Sequence, residues 1–180
     1  MATNIEIKAR AGNPARLRER AERLSHTAAE LLIQEDSFFC VPKGRLKLRV
    51  LGPGRGELIY YERMDLAGPK SSHYLLFPTA DPAALGAVLA AALGLLGVVR
   101  KRRWLFKAGD TRIHLDEVEG LGAFVELEVV LRPGQSAQEG HEIAADLMRQ
   151  LGIEPGDLVA GAYLDLLRDS RAAAGSGGSE

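Results

Sequence analysis

The sequence predicts an α+β chain built on a closed, eight-stranded antiparallel β-barrel with helices outside it. Three observations predict it. Eight segments alternate or concentrate β-formers with strand length, short turns join most of them, and ionisable residues collect on one side of several. Closure follows because it removes the exposed edges of such a sheet.

Thr3 to Arg10 alternates strictly, with Ile5, Ile7 and Ala9 on one side and Asn4, Glu6, Lys8 and Arg10 on the other. Asn13 and Pro14 then supply an N-cap and a proline at the first helical position. Leu17, Ala21 and Leu24 recur at helical spacing to about Ser25. Leu31 to Val41 is β-branched and aromatic, and Pro42-Lys43-Gly44 turns it into Arg45 to Leu51. The glycine-rich turn from Gly52 to Gly56 leads to a strand from Glu57 to Met64, and Gly68-Pro69 leads to another from Ser71 to Phe77. Asp81-Pro82 opens a helix carrying Leu85, Val88, Leu89, Ala92 and Leu93, expected as a core element followed by a turn.

Three further strands are expected at Val98 to Lys107, Thr111 to Val118 and Ala123 to Leu131, separated by tight turns. Ser136 and Glu139 form a capping-box pattern, after which Ile143, Leu147 and Leu151 mark a helix that stops at Gly152. A last short helix is expected from about Leu158 to Arg168. Residues 1–171 then make one domain, and the Ala-, Gly- and Ser-rich tail, 172–180, is expected to be disordered.

At 180 residues, with 26% charged and a net charge of −1, the chain is no general nucleic-acid binder, since that affinity comes from clustered Lys and Arg. One cysteine, Cys40, excludes an internal disulfide and reads as a buried strand residue. No basic-then-apolar leader is evident, and the longest uncharged run, Pro82 to Val99, is short for a bilayer. A cytoplasmic location with no membrane partner is expected. The oligomeric state is open, a homodimer included.

The polar side of the strands carries the functional signal. Arg45, Lys47 and Arg49 share a face, as do Lys101 and Arg103, then Arg112, His114 and Asp116, then Glu126 and Glu128. Arg63 joins by parity with Ile59 and Tyr61. Pointed into a barrel, these charges are costly to desolvate unless partners arrive. A polyphosphate with Mg²⁺ or Mn²⁺ supplies both partners: Lys8, Arg45, Lys47, Arg49, Arg63, Lys101, Arg103 and Arg112 meet phosphate oxygens, while Glu6, Asp116, Glu126 and Glu128 hold the cation.

The run Asn4-Ile5-Glu6-Ile7-Lys8 resembles the Glu-x-Glu-x-Lys signature of the CYTH domain, or triphosphate tunnel metalloenzymes. Leu46-Lys47-Leu48-Arg49, Lys101-x-Arg103, Asp116-x-Val118 and Glu126-x-Glu128 follow in matching order, and the likeness is strongest to class IV adenylate cyclase-like members. The resemblance implies a tunnel that binds a triphosphate with divalent metal. It implies hydrolysis of inorganic or nucleoside triphosphate, with cyclisation of ATP to cyclic AMP as the alternative and a non-catalytic phosphate-binding tunnel as the second. Lys8 and Asp116 are the expected catalytic residues, Asp116 as base for cyclisation or as metal ligand. His114 is given ligand contact only, and Phe38, Ser72 and Tyr74 are candidate base contacts. The signature's first Glu is Asn4 here, a weaker ligand for a hard cation.

Overall fold

The computed structural model describes residues 2–25 and 28–176. Its strands are β1 (Ala2–Arg10), β2 (Glu30–Phe39), β3 (Arg45–Gly52), β4 (Arg55–Arg63), β5 (Lys70–Thr79), β6 (Leu95–Ala108), β7 (Thr111–Val118) and β8 (Gly122–Val130). They close in the order β1-β5-β4-β3-β2-β6-β7-β8, every neighbouring pair antiparallel. The seam is β1 against β8, in register from Asn4 opposite Val130 to Arg10 opposite Phe124.

Among the described residues four α-helices surround the barrel: α1 (Pro14–Ser25), α2 (Pro82–Leu93), α3 (Ala137–Leu151) and α4 (Tyr163–Ser176). The outward residues of β1, β6, β7 and β8 explain where α1 and α3 sit. Ile7, Ala9, Phe106, Ile113, Val125 and Leu127 form one buried cluster with Leu17 and Ala21 of α1 and Leu147 and Leu151 of α3. Helix α3 starts at the Ser136/Glu139 capping box and ends at Gly152, at φ 69°. That left-handed backbone favours glycine, and Arg20 Nη1 lies close over the position, donating to the Leu151 carbonyl at 2.7 Å.

Inward residues at one end of the barrel, Phe38, Val99, Val118 and Phe124, pack with Tyr163, Leu164 and Leu167 of α4. The start of α4 is therefore the floor of the lumen. No helix among the described residues is long and apolar enough to cross a membrane.

Four expectations need correction. Helix α2 is a surface helix: Pro82 is its only buried residue and Val88 is 63% exposed. Its Ala-rich face offers little to insert, and it meets the barrel closely at Gly86, where a Cβ would stand 3.2 Å from Leu48 Cδ2. Strand β6 begins at Leu95, so Gly97 lies inside the strand rather than in a turn. Cys40 is exposed just beyond β2. Leu158 bridges Ala9, which delays α4 to Tyr163, and the helix runs to Ser176 rather than ending near Arg168, its last turns including Ala172–Ala174, residues of high helix propensity in the Ala-, Gly- and Ser-rich tail. Residues 177–180 of that tail lie outside the described residues.

Candidate active site

A lumen of about 650 Å³ opens at the end of the barrel away from α4, lined there by Arg55, Glu57, Glu30 and Thr79. Its interior shows the strand parity directly. Asn4, Glu6 and Lys8 come from β1, Lys47 and Arg49 from β3, Arg63 from β4, Lys101 and Arg103 from β6, Arg112 and His114 from β7, and Glu126 and Glu128 from β8. Eight cations and six carboxylates line the space, far more charge than a barrel interior needs for packing.

Two expected residues are not among the lining. Arg45 has the right parity but sits past the closed end, donating to Asp165 at 3.0 Å and to Asp65 at 2.8 Å. Asp116 is on the inward face but enclosed, 2% exposed, accepting from Arg103 at 2.6 and 2.5 Å, from the Tyr163 hydroxyl at 2.9 Å and from Lys101 at 3.3 Å. Burial pushes its carboxyl up, but Arg103 and Lys101 overcome this and bring it to about 2.

The remaining charges pair inside the lumen. Glu6 accepts from Arg63, and Arg63 also donates to the Gly161 carbonyl at 2.9 Å. Lys8 donates to the same carbonyl at 3.0 Å, stands 3.4 Å from Glu126 and packs over the Tyr163 ring. Burial lowers both Lys8 and Lys47 to about 8. Arg103 donates to Glu126, and Arg112 to Glu128 at 3.2 Å. Burial opposes ionisation of Glu126, yet Arg103 and Lys8 hold it well below the usual carboxylate range.

His114 lies directly opposite Glu126 across the β7·β8 pair. Its Nδ1 is 4.0 Å from Glu126 and 3.7 Å from Glu128, and ligand atoms of the three residues all lie within 4.8 Å of one another. Burial drives the imidazole down to about 4, so it is neutral at ordinary pH and fit to ligate. Among the described residues, the buried side-chain atoms without a hydrogen-bond partner are Asn4 Oδ1, Gln34 Oε1, Arg63 Nε and His114 Nδ1, and all four residues line the lumen. Such orphans cost about 1–3 kcal/mol each, and their concentration at one surface marks where a polar ligand belongs. The donor set therefore fits a divalent cation, with Glu126 and Glu128 as oxygen ligands and His114 beside them.

The family described as the CYTH domain matches residues 2–163. The chain belongs to the CYTH domain family. The PH1012 protein of Pyrococcus horikoshii superposes on this CYTH chain with a TM-score of 0.79 and 28% identity, covering 91% of this chain and 99% of that one. The adenylate cyclase candidate MJ0240 of Methanocaldococcus jannaschii is 31% identical over 68 residues, 38% of this chain and 39% of that protein. HpAC1 of Hippeastrum, an adenylyl cyclase candidate whose structure is described as revealing a dominant triphosphatase activity, shares the fold. Its TM-score is 0.64 at 18% identity, covering 93% of this chain and 96% of that one.

Within this CYTH barrel, the sequence reading missed Asp36 and Tyr163. Asp36, 3% exposed, accepts from Arg49 at 2.7 and 2.8 Å and from Lys47 at 2.9 Å, so it aims both cations along the wall. Parity along β2 was the available signal, since Gln34, Asp36 and Phe38 share its inward face. Tyr163 gave no such signal, because helix periodicity does not say what a helix start covers. Phe38, Ser72 and Tyr74 all line the lumen.

Proposed function

We propose that this protein is a metal-dependent phosphohydrolase that cleaves a triphosphate held in its barrel. The observation that carries this reading is the division of one blind-ended lumen. Glu126, Glu128 and His114 form a cation-binding corner on β7 and β8, and Lys47, Arg49, Lys101 and Arg103 form a basic bank on β3 and β6. A polyphosphate with its counter-cation matches both halves at once.

Glu126 and Glu128 would hold Mg²⁺ or Mn²⁺, which when bound supplies Lewis acidity at a phosphoryl oxygen and a more acidic water. The chain's own residues do the rest. Lys8, Lys47, Arg49, Arg63, Lys101, Arg103 and Arg112 bind phosphate oxygens and offset the charge that moves outward as the P–O bond breaks. In the free lumen these cations hold the carboxylates in pairs, so ligand entry exchanges one set of partners for another. Lys8 holds a proton at Nζ, beside Glu126, that it can place on the leaving oxygen. Tyr163 and Ala162 keep bulk water from the closed end.

Hydrolysis is favoured over cyclisation by Asp116. A base for a ribose hydroxyl must reach the lumen and accept a proton near neutrality, whereas this carboxylate is enclosed by Arg103, Lys101 and Tyr163. Its role in the proposal is to fix Arg103. A barrel of this fold, that of Hippeastrum, is described as having a dominant triphosphatase activity. The test is a product assay with inorganic triphosphate and with ATP, each with Mg²⁺, Mn²⁺ or chelator. Metal-dependent phosphate and pyrophosphate from triphosphate, or ADP and phosphate from ATP, is the expected result. Cyclic AMP with pyrophosphate would move the assignment to a cyclase, and absence of any product from both substrates would overturn turnover itself.

A further inference from the structure

We propose that His114 supplies a nitrogen ligand to the catalytic cation, giving the barrel a mixed nitrogen and oxygen set that selects Mn²⁺ over Mg²⁺. The inference rests on the functional reading above for the place of the cation and extends it to the identity of the ion.

The geometry points to His114 for three reasons. Its side chain is 5% exposed and its Nδ1 has no hydrogen-bond partner, an arrangement that a histidine kept only for packing has no reason to retain. That nitrogen faces both carboxylates of the corner, at 3.7 and 4.0 Å. These separations are too long for hydrogen bonds and close to those of ligands sharing one ion. With metal–ligand bonds of roughly 2.1 Å, neighbouring ligand atoms lie roughly 3.0–3.5 Å apart, so the three groups, now within 4.8 Å of one another, would draw together by side-chain adjustment around an ion. The backbone also fixes the arrangement, because His114 and Glu126 are directly paired residues on adjacent strands.

Ligand chemistry then decides the ion. Mg²⁺ takes oxygen ligands in near-ideal octahedral geometry and releases its waters reluctantly, whereas first-row transition ions accept imidazole with greater affinity. The group of ligand atoms within 4.8 Å of one another contains two carboxylates, Glu126 and Glu128, where the sequence pattern led us to expect four, and Asp116 is enclosed by Arg103, Lys101 and Tyr163. Asn4 in place of the signature glutamate removes a further hard oxygen charge. A site that has exchanged carboxylates for an imidazole loses more affinity for Mg²⁺ than for Mn²⁺.

The decisive experiment is pulsed electron paramagnetic resonance of Mn²⁺ bound to the full chain, with and without inorganic tripolyphosphate, which contains no nitrogen. Protein carrying ¹⁵N only in its histidines is compared with unlabelled protein. The expected result is a nitrogen coupling that changes on histidine labelling and vanishes in His114→Gln. In that variant the ratio of Mn²⁺ to Mg²⁺ affinity should fall by at least the roughly tenfold that loss of an outer-shell partner alone produces. The labelled wild-type protein needs no variant, so a folding defect in His114→Gln does not blunt the test. Bound Mn²⁺ without nitrogen coupling overturns the proposal, as does failure to bind Mn²⁺ under both conditions. Phosphate release without nitrogen coupling would refute this ligand and leave the hydrolase reading. Coupling without phosphate release would do the reverse.

Discussion

Arg103→Met isolates the cation on which two buried carboxylates depend. The Arg103 side chain is 4% exposed, the Asp116 side chain 0% and that of Glu126 17%, so water does little to compensate its loss. Methionine keeps the apolar stem and removes the guanidinium. Breaking a buried pair from one side costs about 3–5 kcal/mol. Lys101 and Tyr163 remain on Asp116, and Lys8 on Glu126, which places the expected loss near the lower figure, about 3 kcal/mol.

The loss should depend on pH with a definite sign. The Asp116 carboxyl is depressed from 3.8 to about 2, so its contribution is present above the unfolded value and disappears as pH falls through the folded one. That depression corresponds to roughly 2.5 kcal/mol at neutral pH. Without Arg103 burial dominates, the carboxyl protonates at higher pH, and the gap between variant and wild type narrows from pH 7 to pH 4.5. Urea unfolding followed by the fluorescence of Trp104 measures both points. Adding Asp116→Asn should recover at least about 1 kcal/mol of the loss. A loss below about 1 kcal/mol at pH 7, or a gap that ignores pH, would refute the claim that Arg103 is the common counter-ion.

Glu128→Gln should lower turnover by on the order of a hundredfold, the scale of losing one preorganised electrostatic contact, while unfolding midpoints stay near wild type because its Arg112 partner is substantially exposed. Steady-state kinetics and thermal melts check the two halves, and wild-type activity would remove the metal assignment. Asn4→Glu adds a carboxylate at a position 5% exposed whose Oδ1 has no partner. It should destabilise the metal-free protein, regain stability with Mn²⁺ and raise hydrolysis, all measurable by melts and phosphate release. Triphosphate affinity should fall as pH rises from 7 to 9, because burial puts Lys8 and Lys47 near 8 and phosphate contact needs both protonated. Their folded values lie below the unfolded 10.5, so between about pH 8 and 10 the same two groups make the protein more stable as affinity declines. Titration calorimetry and urea melts over that range should move in opposite directions.

Strand parity made most of the lumen legible, because period two says which face a residue occupies. It does not say how far along the barrel that residue sits. Arg45 shares the parity of Lys47 and Arg49 and still misses the lumen, since depth is set by the shear of the closed sheet and by where α4 caps it. Asp116 was legible as inward and illegible as enclosed, because Tyr163 arrives from a segment 47 residues away. Asp36 was within reach of the same parity rule that found Lys47. For His114 the sequence supports ligand contact and no more, because a lone strand histidine shows no partner there; its relation to Glu126 exists only once β7 and β8 pair. Helix α2 misled for the opposite reason, since an alanine-rich run reads as apolar while having little surface worth burying.

The seam between β1 and β8 joins residues far apart in the chain, Asn4 to Val130 and Arg10 to Phe124. Closing so long a loop is an entropic barrier that must be crossed before its contacts reward the chain, which makes this a slow-folding topology. Lys8, Glu126 and Tyr163 meet only after that closure, so the complete lumen exists only in the closed barrel. Ligand saturation at a hundred times Kd would therefore add its ~2.7 kcal/mol to the barrel as a whole rather than to one region. Slower hydrogen exchange should then extend to the seam amides of β1 and β8, including those remote from the lumen's charges.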